Sequence, residues 1–400
     1  MTVDIKLVQE QLEAVREYVI CTRRRFHENP SASGKEEQAA LFVEAQAQEL
    51  GLAHRRYADY GVLVRLEGAR PGPTVCLRAD YDALSMQESP DNLAGKKVCV
   101  SKEDGLCHAC GHDGHAAMAL GAMRVLHALR QQLAGSVLFL FESGEERGGL
   151  TKDAIRAALR EEKADTCFAI HLDAAMPTGS CNVEPGARLM GAASIGATLR
   201  GRGGHGSRPD EAVNPINAVA QVVCALQGVI PNCVVPGERA VLSVGVIEGG
   251  TVRNIIPETA SFAGSVRFLS KETGQLILDR VSALVRGIAA AEGCEVESLT
   301  AKVDLTVTVN DEKACATARE GIEKLLGQEV LVSREPWMGS ESFGFCLEQA
   351  SGAMMFLGIA NAQKGTGAAH HNPRFDLDED ALQVGVAAEV GYVLASMKLL

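Results

Sequence analysis

Four hundred residues, 46% hydrophobic and 22% charged, have the composition of a globular protein, and the length exceeds what one compact core usually organises, so a large domain and a smaller one are expected. A net charge of −12 with no basic run longer than Arg23-Arg24-Arg25 excludes nucleic acid as a general partner, and those three arginines are expected on the solvated side of a helix end. No apolar run is long enough to cross a membrane, the first residues lack the layout of a signal peptide, and the twelve cysteines are scattered without a compact framework; a cytoplasmic protein with reduced thiols is expected.

Ile5, Val8, Leu12, Val15 and Val19 recur at helical spacing and predict an opening amphipathic helix. A second helix is predicted over 35–50, stopped by Gly51. Short apolar strands at 75–80, 137–141 and 166–170 then alternate with helices at 114–133 and 151–160, the rhythm of an α/β domain with a mostly parallel sheet. The middle differs: strands at 194–199, 241–247 and 260–268 with helices at 215–227 and 273–291 make a small α+β unit. The first rhythm resumes with a helix at 314–326, a strand at 353–358 and a last helix from Asp380. The expected organisation is therefore an α/β domain of 1–190 and 305–400 interrupted by an inserted α+β domain of 191–304.

The stretch Cys107-His108-Ala109-Cys110-Gly111-His112-Asp113-Gly114-His115 concentrates thiol and imidazole groups as metal sites or thiol chemistry require. Asp80 ends one predicted strand, Glu142, Glu145 and Glu146 follow a second, and His171 follows a third. His370-His371 lie in a loop after the last strand. Ligands of open α/β sheets bind at the carboxyl ends of the strands, so Cys, His and Glu converging there describe a metal site assembled from distant segments. Each piece alone has a plainer meaning. Cys107 and Cys110 could be a redox pair, but they lack a thioredoxin-like setting. Glu145-Glu146 could be a solvated helix start, and His108, His115 and His127 could be structural, with His115 orienting a ligand on the same helix face as His112.

Taken in order, the motifs resemble the amidohydrolase branch of the M20 zinc peptidase family, which includes hippurate hydrolases, aminoacylases and auxin-conjugate hydrolases. They run from Arg24-Arg25-Phe26-His27-Glu28-Asn29-Pro30 through Arg78-Ala79-Asp80-Tyr81-Asp82-Ala83-Leu84, His108-Ala109-Cys110-Gly111-His112-Asp113, Gly144-Glu145-Glu146, Gly203-Gly204-His205 and Asn254-Ile255-Ile256-Pro257 to Met338-Gly339-Ser340-Glu341 and His371-Asn372-Pro373. The resemblance implies a zinc-peptidase-like catalytic domain carrying a ferredoxin-like lid or dimerisation domain. It implies two divalent metal ions, zinc first with manganese, cobalt or nickel as alternatives, held by Cys110, His112, Glu146, His171 and His371. It further implies Glu145 as general base, Asp82 as an orienting carboxylate, His205 as an oxyanion donor reaching a partner subunit, and Asn254, Arg267 and Glu341 as substrate contacts. The implied activity is hydrolysis of the amide of N-acyl amino acids or related small amides by a cytoplasmic homodimer. The alternatives are a dipeptidase or aminopeptidase, a catalytically silent binding protein and a thiol oxidoreductase. Ser31, Ser85, Cys107, Asp210 and Ser342 depart from the family pattern, leave every implied ligand in place, and bear on substrate preference.

Overall fold

A computed structural model describes residues 2–400. The chain divides into two compact units, the first taking in the chain up to Gly186, Val309–Glu335 and Ser342–Leu400, the second Ala187–Thr308 and Pro336–Glu341.

The first unit is built on a seven-stranded sheet. Its centre is four neighbouring parallel strands, Ala134–Glu142, Arg70–Asp80, Thr166–Pro177 and Ser351–Ala360. Ala53–Arg56 and Val62–Glu67 extend one side and Cys181–Asn182 the other, all antiparallel, so the sheet is mixed around a parallel core. The central strands are buried on both faces, which is why Val137-Leu138-Phe139-Leu140-Phe141 is apolar without alternation. Each such side chain withdrawn from water contributes about 1.5–3 kcal/mol.

Helices His112–Ala128 and Asp380–Ser396 are buried almost all round. The last helix crosses Glu312–Leu326 backbone to backbone: a Cβ on Gly321 would lie 2.4 Å from the carbonyl carbon of Gly391, so neither position tolerates a side chain. The opening helix is interrupted. Ile5–Ala14 ends at Val15, whose N–H turns back to Leu12 O, and Arg16–Glu28 follows on a new course.

That second helix corrects the expectation for its arginines. Arg23 is 1% exposed, with Nε 2.8 Å from Asp113 and the rest of its guanidinium facing Glu379 and Asp376. Beside it, His27 lies between Asp113 at 2.8 Å and Glu88 at 2.9 Å. The acids that draw Arg23 inward come from remote segments, so helical periodicity gave no hint of them.

The second unit has the order β-α-β-β-α-β: Gly191–Arg200, Pro215–Leu226, Ala240–Gly249, Thr259–Phe268, Lys271–Ala291 and Glu295–Leu305. All neighbouring strands of its sheet are antiparallel, and Gly191–Arg200 and Thr259–Phe268 lie inside, which is the ferredoxin-like arrangement. Both long helices are capped by side chains, Asn214 accepting from Ile216 N and Ser270 from Thr273 N. Their apolar faces, with Val219, Val222, Ile277, Val281 and Val285, form a core separate from that of the first unit.

Candidate metal centre

Five of the expected site residues converge in the first unit. Cys110 ends a loop and His112 opens the helix His112–Ala128. Between them Gly111 has φ +93°, a left-handed turn that presents both side chains to one place, and a Cβ there would press on Leu172 at 3.0 Å. His171 lies inside strand Thr166–Pro177, which runs on six residues past it; the sequence had placed it beyond the strand end. His371 follows the last strand with φ +59°, uncommon for a residue with a side chain, and its N–H is held by Ala109 O at 2.8 Å.

The donor atoms form overlapping triads, Cys110–His112–His171, Cys110–Glu146–His371 and His112–Glu145–Glu146, the atoms of each lying within 4.8 Å of one another. The first two share Cys110. The imidazoles are aimed by acceptors behind them. His112 Nδ1 donates to Asp82 Oδ1 at 3.0 Å and to the Asp82 carbonyl at 3.1 Å, and His171 Nδ1 donates to Leu172 O at 2.7 Å. Each ring therefore turns Nε2 into the cluster, the nitrogen through which an imidazole ligand would bind. The His171 Nε2 lies 3.8 Å from Cys110 Sγ. His112 Nε2 is fully buried and has no hydrogen-bond partner.

The electrostatics suit a cation. Burial opposes charge on His112, yet Asp80, then Cys110 and Asp82, push its pKa well above the usual imidazole range. Burial raises the Cys110 thiol, with Glu146 adding to the rise. Burial lowers His171, and the neighbouring imidazoles of His115 and His370 lower it further. The hydrogen bond to Glu146 raises His371. An orphaned buried nitrogen, a thiolate donor, imidazoles and a carboxylate fit divalent metal ions, and this mixed set accommodates zinc without selecting it.

Glu145 stands next to Glu146 on the short 3-10 turn Glu145–Arg147 and is 7% exposed. Its Oε1 accepts from Ser342 N at 3.1 Å. Asp82 joins the two sides of the centre: one oxygen holds His112 and the other accepts from Glu146 N at 3.0 Å.

Further residues frame the site. Arg78 contacts Asp80 at 2.8 Å and Glu142 at 2.7 Å and donates to the Ser342 hydroxyl, which itself donates to Glu142. Asp80 receives His115 Nδ1–H at 2.6 Å, so the grouping of Asp80, His112 and His115 reads as a hydrogen-bonded support behind the ligands. Glu36 accepts from Gly34 N at 2.6 Å and from Gly144 N at 2.8 Å, tying its loop to the Glu145 turn, and burial lifts its pKa to about 7. Asp80 at a strand end was a visible signal; Glu36 gave none, since it reads as a first-turn helix acid.

The other expected residues lie in the second unit. His205 is exposed and pairs in register with Ile255; its Nδ1 accepts from Ser207 N at 3.1 Å, which in the neutral ring leaves the proton on Nε2. Asn254 is exposed, and its carbonyl receives Gly206 N–H at 2.9 Å. Arg267 lies on an inner strand, donates to the Ser340 hydroxyl at 3.1 Å and forms no ion pair among the described residues. Glu341 is buried, while Asp210 is held by Arg208.

Residues 76–395 match the model of peptidase family M20/M25/M40. The chain is 31% identical to thermostable carboxypeptidase 2 of Saccharolobus solfataricus, covering 96% of each chain. It is also 31% identical to IAA-amino acid hydrolase ILR1-like 2 of Arabidopsis thaliana, over 96% of this chain and 86% of the relative. Among solved structures it superposes on the YXEP protein of Bacillus subtilis, described as a dinuclear metal binding peptidase of the M20 family, with a TM-score of 0.81 and 27% identity over 97% of this chain and 100% of the other.

Proposed function

The chain belongs to peptidase family M20/M25/M40, a family of hydrolases, and from that premise we propose that it cleaves the amide bond of N-acyl amino acids or related small amides. The observation that carries this is the sharing of Cys110 by two ligand triads beside an acid, Glu145, that belongs to neither of them. Cys110, His112, His171, Glu146 and His371 would hold divalent ions, which would supply Lewis acidity toward the carbonyl and the attacking water.

Glu145 accepts the water's proton and delivers it to the departing amine; the Ser342 N–H fixes one of its oxygens for that task. Asp82 keeps His112 in the tautomer that binds through Nε2. His205, with its Nδ1 occupied by Ser207, offers an Nε2–H to the oxyanion that forms at the carbonyl carbon. Arg267, which has no acidic partner, suits a substrate carboxylate, with Asn254 and Glu341 as further contacts. The protein acts in the cytoplasm as a homodimer joined through the second unit. Its edge strand Ala240–Gly249 supports this, since Val246 and Ile247 are 47% and 58% exposed on an unpaired sheet edge.

Turnover of a panel of N-acyl amino acids and free dipeptides, before and after chelation and re-addition of divalent metal, tests the reading. Faster hydrolysis of the acylated compounds, lost on chelation and restored by metal, is expected. Preference for free dipeptides would favour the peptidase activity instead, and metal-independent turnover would contradict the mechanism.

A further inference from the structure

Away from the metal ligands, the first unit contains a cavity of about 600 Å3 between the end of helix Arg16–Glu28, the start of helix Glu37–Glu49 and the loop that reaches Leu106. Two cations line it, Arg25 and Lys35. Neither makes an ion pair or side-chain hydrogen bond with any described residue, whereas Arg23 and Arg24 on the same helix are both paired with acids. In a chain of net charge −12, two unpaired cations on one cavity are a local reversal of sign. Glu103 is the one acidic residue in the lining.

Asn29, Ser31 and Gln38 add polar groups to the lining, and the rest of the wall is apolar. Phe26 and Phe42 meet edge to face at 5.3 Å, Leu106 lies alongside, and the Arg25 guanidinium rests 4.1 Å above the Phe42 ring. That stacking fixes the plane of the guanidinium while leaving its N–H groups for an anion. A cavity of this size that sets an aromatic wall beside converging charged groups has the form of a small-molecule site.

The loop that bounds the cavity also bears on the catalytic groups. Ser31 O accepts from Ala83 N at 2.8 Å and Ser33 N donates to Ala83 O, next to Asp82. Glu36, adjacent to Lys35, accepts from Gly144 N, next to Glu145.

We propose that this cavity is a second binding site, for a small organic carboxylate with an aromatic body: Arg25 and Lys35 take the carboxylate, and Phe26, Phe42 and Leu106 take the ring. Occupancy orders the 31–36 loop and, through it, the segments that carry Asp82 and Glu145. The site stands on its own residues, independent of which amide the enzyme cleaves.

Benzoate is the probe, added at millimolar concentration to the full-length protein after chelation, with hydrogen–deuterium exchange and calorimetry as readouts. Peptides spanning 25–42 are expected to gain protection. The double variant Arg25→Ala/Lys35→Ala, altered only at exposed positions, is expected to keep its melting temperature and bind benzoate roughly 10-fold more weakly or worse. Arg267→Ala is expected to bind as the parent does, and benzylamine, with the same ring and the opposite charge, not to bind. Unchanged benzoate binding in the double variant, protection confined to peptides around Cys110 and His171, or equal binding of benzylamine would overturn the proposal.

Discussion

Cys110 supplies a donor to two of the triads, whereas Cys107, three residues earlier, supplies none and has its thiol raised to about 11 by burial. The two cysteines therefore separate a ligand role from a core role. Cys110→Ser replaces a soft thiolate with a hard hydroxyl and is expected to lose most bound metal, while Cys107→Ser is expected to keep it. Elemental analysis of the purified variants reads this directly, and equal loss from both would mean that Cys110 is misassigned as the shared donor. At this scale much of the centre was legible. The Cys-x-His spacing and the Glu pair stand out in the sequence because few other uses require those residues so close together. Arg23, Arg78 and Glu36 were not legible as supports. Their partners are brought in by the fold, so their local sequence resembles that of ordinary surface residues.

Among the elements, strands with unbroken apolar runs, such as Ala134–Glu142 and Ser351–Ala360, could be read because burial on both faces leaves no room for polar residues. Glu295–Leu305 could not. Register shifts at Val296/Ser298 and Val303/Leu305 break its alternation, and it borders solvent at the sheet edge. Ala53–Arg56 is too short and polar to announce itself. The last helix carries an unusual element of its own, Glu389, 2% exposed, with one oxygen lacking any hydrogen-bond partner. Burial alone pushes its pKa well above the usual carboxylate range. The acid ionises less readily in the fold than in the unfolded chain, so its cost is absent below about pH 4.5 and grows as the pH rises toward the folded pKa. Glu389→Gln is expected to raise the melting temperature at neutral pH and to match the parent in acid. A melting temperature unchanged or lowered at neutral pH would show that the carboxylate is paired after all.

For the whole molecule, a dimer in which each chain lends His205 to its partner would make each active site depend on two chains. A His205→Ala chain and a Glu145→Ala chain, each inactive alone, should regain activity when mixed under conditions that allow subunit exchange. In the heterodimer one site collects both defects and the other collects neither. Exchange confirmed by native mass spectrometry without return of activity would place His205 in cis or outside catalysis.

The division of labour between ligands and base is the centre of the account, and Glu145→Ala tests it most directly through metal content and turnover measured on the same sample. The variant should carry as much metal as the parent, since the two triads that share Cys110 are complete without Glu145 although it lies beside His112 and Glu146, while amide hydrolysis falls by roughly 100-fold or more. Near-normal turnover in a folded, metal-loaded Glu145→Ala protein would contradict it.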